Sequence, residues 1–398
     1  MTNLPQGWEV KKLEEIANIK GGKRLPKGEN LLDNNTKFAY IRVADFQDNG
    51  TINLQNIKFI NENTYNVLKN YKIYDDNLYI SIAGTIGKSG IIPKELNGAI
   101  LTENAVKLEY IQNNISNKFM YFFTLSNIFK TQIQTSTKIV AQPKLAITRL
   151  KQIQIPLPPL KEQERIVGIL DESFAKIDES IKILEQDLLN LDELMQSALQ
   201  KAFNPLKDNA KENYKLPQSW EWKSLEEISE NISAGGDKPK NCTESKTAKN
   251  QIPVYANGVN NNGLVGYTDK ATIIKPSLTI SARGTIGFVC IRKEPYFPIV
   301  RLISLIPCEN ILCLHYLYFC LNFFIAKGEG SSIPQLTIPK FKSPQIPLPP
   351  LKEQEQIAEH LDFVFEKAKA LKELYTKELK DYEELKQSLL DKAFKGEL

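Results

Sequence analysis

The chain has 398 residues, a net charge of only +4 and a mean hydropathy of −0.32. That length exceeds one ordinary core and predicts two or three domains, and the charge is too small to identify a nucleic-acid partner by itself. The five cysteines, Cys242, Cys290, Cys308, Cys313 and Cys320, all lie in the second half with no C-x-x-C pair and only His315 and His360 near them. This argues against a zinc site or a disulfide framework and fits a reducing cytosol.

In chain order, the opening MTNLPQGWEVKKLEE shows no basic-then-apolar leader, so a cytoplasmic location is expected. Residues Leu78 to Ile82 alternate in strand fashion and lead into Gly84-Thr-Ile-Gly87, which predicts a tight turn between strands. The following Lys88-Ser89 gives this stretch a superficial likeness to a phosphate-binding loop, but the first glycine of that pattern is replaced by Ile82. The aromatic stretch Phe119 to Phe129 predicts a buried helix. Pro158-Pro159 then opens a long helix that meets no proline before Pro205 and one glycine, Gly168. Along it Leu170, Phe174, Ile177, Ile181, Leu184, Leu188 and Leu191 follow at alternating steps of three and four, the heptad seam of a coiled coil. At 1.5 Å per residue this helix spans on the order of 65 Å.

After a linker the pattern returns. Leu4-Pro-Gln-Gly-Trp-Glu becomes Leu216-Pro-Gln-Ser-Trp-Glu, Gly84-Thr-Ile-Gly87 becomes Gly284-Thr-Ile-Gly287, and Ile155-Pro-Leu-Pro-Pro-Leu-Lys-Glu-Gln-Glu164 recurs unchanged at Ile346 to Glu355. The second copy of the turn continues with Phe288-Val289, without lysine or serine, so nucleotide binding is rejected. The apolar stretch Ile311 to Ala326 is too short to span a bilayer comfortably and contains His315 and Asn322, so it too is predicted as a buried helix. The second seam comprises Leu361, Phe365, Tyr375, Leu379, Tyr382 and Leu389, interrupted by Lys372 and Lys386, polar positions that select a register.

The helical halves align without a gap and the globular halves do not, which predicts one scaffold holding two different surfaces. The predicted organisation is a globular domain over residues 1–159, a spacer helix over 160–203, a linker over 204–215, a second domain over 216–350 and a second helix over 351–398. The fold class is α+β: two globular α/β domains separated by two long helices that pair as an antiparallel coiled coil with approximate two-fold symmetry. Connectivity favours the antiparallel arrangement, because a parallel pair would need a return path longer than the linker easily provides. The four main segments carry net charges of +7, −5, +5 and −3, so both domains are basic and both helices acidic. Two basic bodies joined by an acidic spacer suit a duplex straddled at two points.

Catalytic signatures for DNA chemistry are missing. Neither Pro158-Pro159 nor Pro349-Pro350 precedes an aromatic residue, as the base-gripping loop of an adenine methyltransferase requires, and no Pro-Asp dipeptide marks a metal-dependent nuclease. No metal site is expected. DNA-contact candidates are donors in loops or at strand ends: Lys23, Arg24, Arg42, Thr85, Lys88, Thr137 and Lys138 in the first domain, and Lys238, Tyr255, Asn257, Arg283, Thr285, Ser331, Ser332 and Gln335 in the second. A second reading is a coiled-coil scaffold whose domains bind protein or glycan.

The doubled L-P-x-x-W motif, G-T-I-G and the repeated I-P-L-P-P-L-x-E-Q together resemble the specificity subunit of type I restriction-modification systems, over essentially the whole chain. The resemblance implies two target recognition domains, each reading half of a bipartite asymmetric DNA site, with the coiled coil setting the gap. It also implies a non-catalytic chain that recruits two modification subunits using S-adenosylmethionine, and restriction subunits using ATP and Mg.

Overall fold

A computed structural model describes residues 4–136, 144–203, 217–325 and 336–398. The chain folds as two compact units, Met1–Leu184 with Lys377–Leu398, and Glu185–Thr376. Each unit therefore holds one globular domain and about half of each long helix.

In the first unit, strand Glu9–Lys12 from the opening motif pairs antiparallel with Gln154–Leu157 from the proline-rich motif, in the register Glu9↔Leu157. The two motifs that recur in the sequence are thus partners in space, and they close the domain where the long helix starts. A four-stranded antiparallel sheet runs in the order Ala17–Gly21, Ala105–Tyr110, Leu78–Ser81, Ser89–Ile91. A second sheet runs Lys58–Phe59, Ala39–Ile41, Ala99–Leu101, Lys72–Ile73, with a parallel pairing of Tyr40 to Ile100. Helix Asn117–Leu125, capped by Ser116 Oγ accepting from Phe119 N, buries Phe119, Met120, Phe122 and Phe123 beneath the first sheet.

The second unit repeats this plan. Strand Glu221–Ser224 pairs with Gln345–Leu348 in the register Glu221↔Leu348. The four-stranded sheet is Ser229–Ala234, Ile303–Pro307, Ser277–Ile280, Val289–Arg292. The companion sheet is Leu264–Thr268, Ile252–Tyr255, Phe297–Pro298, again with a parallel pair, Val254 to Phe297. The apolar stretch of the second half forms the helix Leu314–Phe324, with Tyr316, Leu317, Phe319, Cys320 and Leu321 buried.

The long helices span Leu160–Phe203 and Leu351–Ala393. Within the first unit Asp178 pairs with Lys386 at 2.5 Å and the Arg165 guanidinium donates to Leu398 O at 2.7 Å, so numbers rise on one helix as they fall on the other. Within the second unit Asp192 pairs with Lys372, while Leu199 and Phe203 share a core with Ala358 and Leu361, the same antiparallel sense. The two lysines that interrupt the seam thus meet carboxylates across it. Leu170, Ile177, Leu184, Leu191 and Leu361 are buried along the seam, and Phe174, Ile181, Leu188, Phe365, Tyr375, Leu379, Tyr382 and Leu389 are half-buried.

Each helix also ends inside a core. In the first unit Phe394, 1% exposed, sets its ring 5.1 Å from Phe119 and 5.4 Å from Phe123. In the second, Phe203 lies 5.4 Å from Tyr316 and 5.7 Å from Phe323. The phenylalanine of the repeated Lys-Ala-Phe at each helix end is therefore a plug of the core, while the lysine stays exposed.

Candidate nucleic-acid interface

The sheets present their loops along one edge of each domain, and glycine decides how closely those loops approach. A Cβ on Gly22 would fall 2.1 Å from Thr102 O, and one on Gly235 would fall 2.6 Å from Ile299 N, so neither position admits a side chain. Gly22 N donates to Ala105 O and Lys23 N to Leu101 O; in the second domain Gly235 N donates to Leu302 O and Arg301 N to Gly235 O. The G-T-I-G turn lies beside this crossing in both domains. Gly84 and Gly87 have φ of 77° and 87°, Gly284 and Gly287 70° and 81°, values that favour glycine, and Gly87 N and Gly287 N close equivalent bonds to Ser81 O and Ser281 O. The turn is a hairpin connection in both copies.

In the first domain the edge gathers Lys23, Arg24, Tyr40 and Thr85. Arg24 Nε donates to Glu103 Oε1 at 2.7 Å, and the Tyr40 hydroxyl donates to Lys23 O at 2.8 Å. Burial pushes the Tyr40 phenol up to about 12, so it remains a donor at neutral pH. Burial alone would raise the Glu103 carboxyl, but the hydrogen bonds from Arg24, the backbone and Thr102, with the Arg24 charge, together outweigh it and hold the group below its ordinary range. Thr85 is exposed at the tip of the turn, which reaches the Glu103 loop through Ile82 N donating to Asn104 O. Two other candidates are occupied within the domain. The Arg42 guanidinium donates to Asp45 at 2.5 and 3.0 Å and to Asn56 O at 3.0 Å, and Lys88 pairs with Asp48 at 2.8 Å. Arg42 thus holds the turn after strand Ala39–Ile41 around the buried carboxylate of Asp45. Thr137 and Lys138 lie outside the described residues.

In the second domain Asn257 ties three loops: its Nδ2 donates to Val300 O at 2.6 Å and its Oδ1 accepts from Ala282 N at 2.8 Å. Tyr255 is covered by the guanidinium of Arg292, 3.6 Å above its ring; Arg292 itself is buried and donates to Thr279 Oγ1 and Asn262 O. Asn257 and Tyr255 thus act as internal fasteners of the edge. Arg283 and Lys238 are exposed on it, while the Thr285 hydroxyl is buried. Ser331, Ser332 and Gln335 lie outside the described residues. Two features escaped sequence reasoning. Arg301 occupies the turn between Phe297–Pro298 and Ile303–Pro307; the available signal was a charge in a two-residue turn between apolar strands. The other is the glutamine of the proline-rich motif.

That glutamine is a clamp in both units. Gln163, 1% exposed, accepts from Ser116 N at 2.9 Å and donates to Asn114 O and Pro158 O at 3.1 and 2.9 Å. Gln354, fully buried, accepts from Cys313 N at 2.9 Å and donates to Ile311 O and Pro349 O at 2.9 and 2.8 Å. One turn of each long helix is thereby locked to the start of the aromatic helix. Next to each clamp sits a second polar contact to the long helix, the Lys118–Asp171 ion pair in the first unit and a His315 Nδ1–Asp362 Oδ2 hydrogen bond in the second, both at 2.6 Å.

The described residues thus form two duplicated sheet pairs with unlike loop edges, each bolted to a long helix. Residues 5–188 and 217–380 match the type I restriction modification DNA specificity domain, and the chain belongs to that family. It is 29% identical over 357 residues to a type I specificity subunit of Mycoplasma pneumoniae, covering 88% of this chain and 87% of that one. It is also 29% identical to the EcoBI specificity subunit of Escherichia coli, over 50% of this chain and 42% of that protein. The fold matches a chain from a solved structure of the assembly and conformational transition of the type I R-M system, with a TM-score of 0.81, 20% identity and full coverage of both chains. Among the described residues no helix is long and apolar enough to cross a membrane.

Proposed function

We propose that the chain is a specificity subunit whose two domains each read one half of a bipartite, asymmetric DNA site, with the antiparallel helices setting the gap. The observation that carries this reading is the shared framework with different edges: Gly22 and Gly235 make the same crossing, yet one edge carries the Arg24–Glu103 pair and the other the exposed Arg283 and Arg301. Basic domains supply phosphate contacts, and the acidic helices disfavour close approach of the backbone between them.

The chain supplies recognition and positioning, and chemistry falls to its partners. Two modification subunits would carry S-adenosylmethionine and methylate adenine N6, and restriction subunits would use ATP and Mg to translocate and cut DNA, in the cytoplasm. The relatives named above, specificity subunits of type I systems, support membership of such a multisubunit system, and the cofactors follow from the family resemblance. Methylome sequencing of a host expressing this chain with its modification subunits tests the reading. A split methylated motif that disappears on deletion of the chain is expected. No such motif, together with no salt-dependent DNA affinity of the complex, would instead favour a scaffold for protein or glycan.

A further inference from the structure

We infer that Arg301, with Arg283 beside it, is the guanine-reading element of the second domain's half-site. This rests on the bipartite-recognition reading above. Val300 and Arg301 take φ of 52° and 61°, two successive left-handed residues without a glycine. A β-branched residue there is a genuine outlier, and such strain persists only where the surroundings over-determine it. They do so here. Val300 N donates to Gly236 O and Arg301 N to Gly235 O, both at 2.8 Å, and Val300 O accepts from Asn257. The flanking Ile299 and Leu302 are buried, at 3% and 2% exposed.

The strained turn lifts Arg301 into solvent with its guanidinium free of any partner among the described residues. Arg283 emerges next to it, because the same Asn257 amide holds both Val300 O and Ala282 N; it too is exposed and free. In the first domain the matching bonds are Gly22 N to Ala105 O and Thr102 N to Ile41 O, which put Asn104 and Ala83 at the equivalent positions. The paired arginines therefore belong to the second edge alone, where the framework is otherwise shared. A simple connection would relieve the strain with glycine. A rigid turn that presents an unpaired planar fork suits bidentate bonding to guanine O6 and N7, a fit that the compact ammonium of lysine matches less well.

The test uses the complex of this full chain with its modification subunits, on duplexes carrying its methylated motif with each guanine of the second half-site replaced in turn. Arg301→Ala should weaken binding of the unaltered site about ten- to a hundredfold and abolish the preference at one guanine, leaving the first half-site unchanged. Arg301→Lys should recover part of the affinity and only part of that preference. Arg283→Ala, at ordinary backbone, should relax a neighbouring position. Val300→Gly should keep the base preference and melt no lower than the parent, separating the side chain's role from that of the fold. An Arg301→Ala complex that binds every duplex equally more weakly, with the preference at each guanine kept, would make the contact one to phosphate and overturn the assignment, as would an unchanged motif in Arg301→Ala and Arg283→Ala. A wild-type complex without any split motif would overturn the bipartite reading itself, whereas a split motif indifferent to these variants defeats only the arginine assignment.

Discussion

The two domains agree at their helix ends and differ at their loop edges. At the helix end, Gln163 and Gln354 make the same three hydrogen bonds, and Phe394 and Phe203 fill the same kind of aromatic pocket. At the loop edge, the turn that carries Glu103 bonded to Arg24 in one domain carries strained Val300 and unpaired Arg301 in the other. Packing constraints held one end constant after duplication, because a buried amide or ring has few replacements. Exposed loops carried no such constraint, and they are where two specificities could diverge.

The comparison breaks first if the helix ends prove dispensable. Phe394→Ala should destabilise the first unit and Phe203→Ala the second, each by about 3–5 kcal/mol, since a large buried ring would leave a cavity. Calorimetry should show the transition of the altered unit moved to lower temperature in each case, and an unchanged scan would refute the plug. Gln354→Ala strands the buried Cys313 N–H and two carbonyls and should cost about 1–3 kcal/mol, with Gln163→Ala costing a similar amount if the clamps are equivalent. The seam lysines carry less. Lys386→Ala removes a pair whose carboxylate is 63% exposed, so a loss of about 0.2–1 kcal/mol that shrinks in high salt is expected from denaturant titration. The smallest effect is of opposite sign. Gly168 is exposed in mid-helix with nothing within 4 Å of an added Cβ, and its counterpart by the constant helical offset is Glu359; Gly168→Ala should stabilise by about 0.5–1 kcal/mol.

Much of this frame was legible in the sequence. The repeat, the heptad seam, the aromatic helices and the turn at Gly84-Thr-Ile-Gly87 each have a period or a conformational demand written in residue types. The pairing direction followed from chain connectivity. The edge was less legible. Arg42 and Asn257 have the chemistry of base readers, yet their side chains are consumed by Asp45 and by Val300 and Ala282, partners set by folding and not by spacing. Arg301 shows the converse: its charge in a short turn between apolar strands is visible in the sequence, but the positive φ of the valine–arginine pair that presents it is not. The clamping glutamines stand in the repeated motif without a visible role, because two of the three partners of each lie in a loop more than 40 residues away, the third being the proline five residues before it.

The duplicated frame with independent readers has a direct test in domain exchange. Residues 1–159 would be replaced by the corresponding domain of a relative with a different methylated motif, in the complex with modification subunits, and the methylome sequenced. The account predicts that one half-site changes while the other half and the gap stay as they were. Deleting one heptad from each long helix, about 10 Å of length, should instead alter the gap alone. If exchanging one domain alters both half-sites, or neither, the two domains are not independent readers on a common ruler.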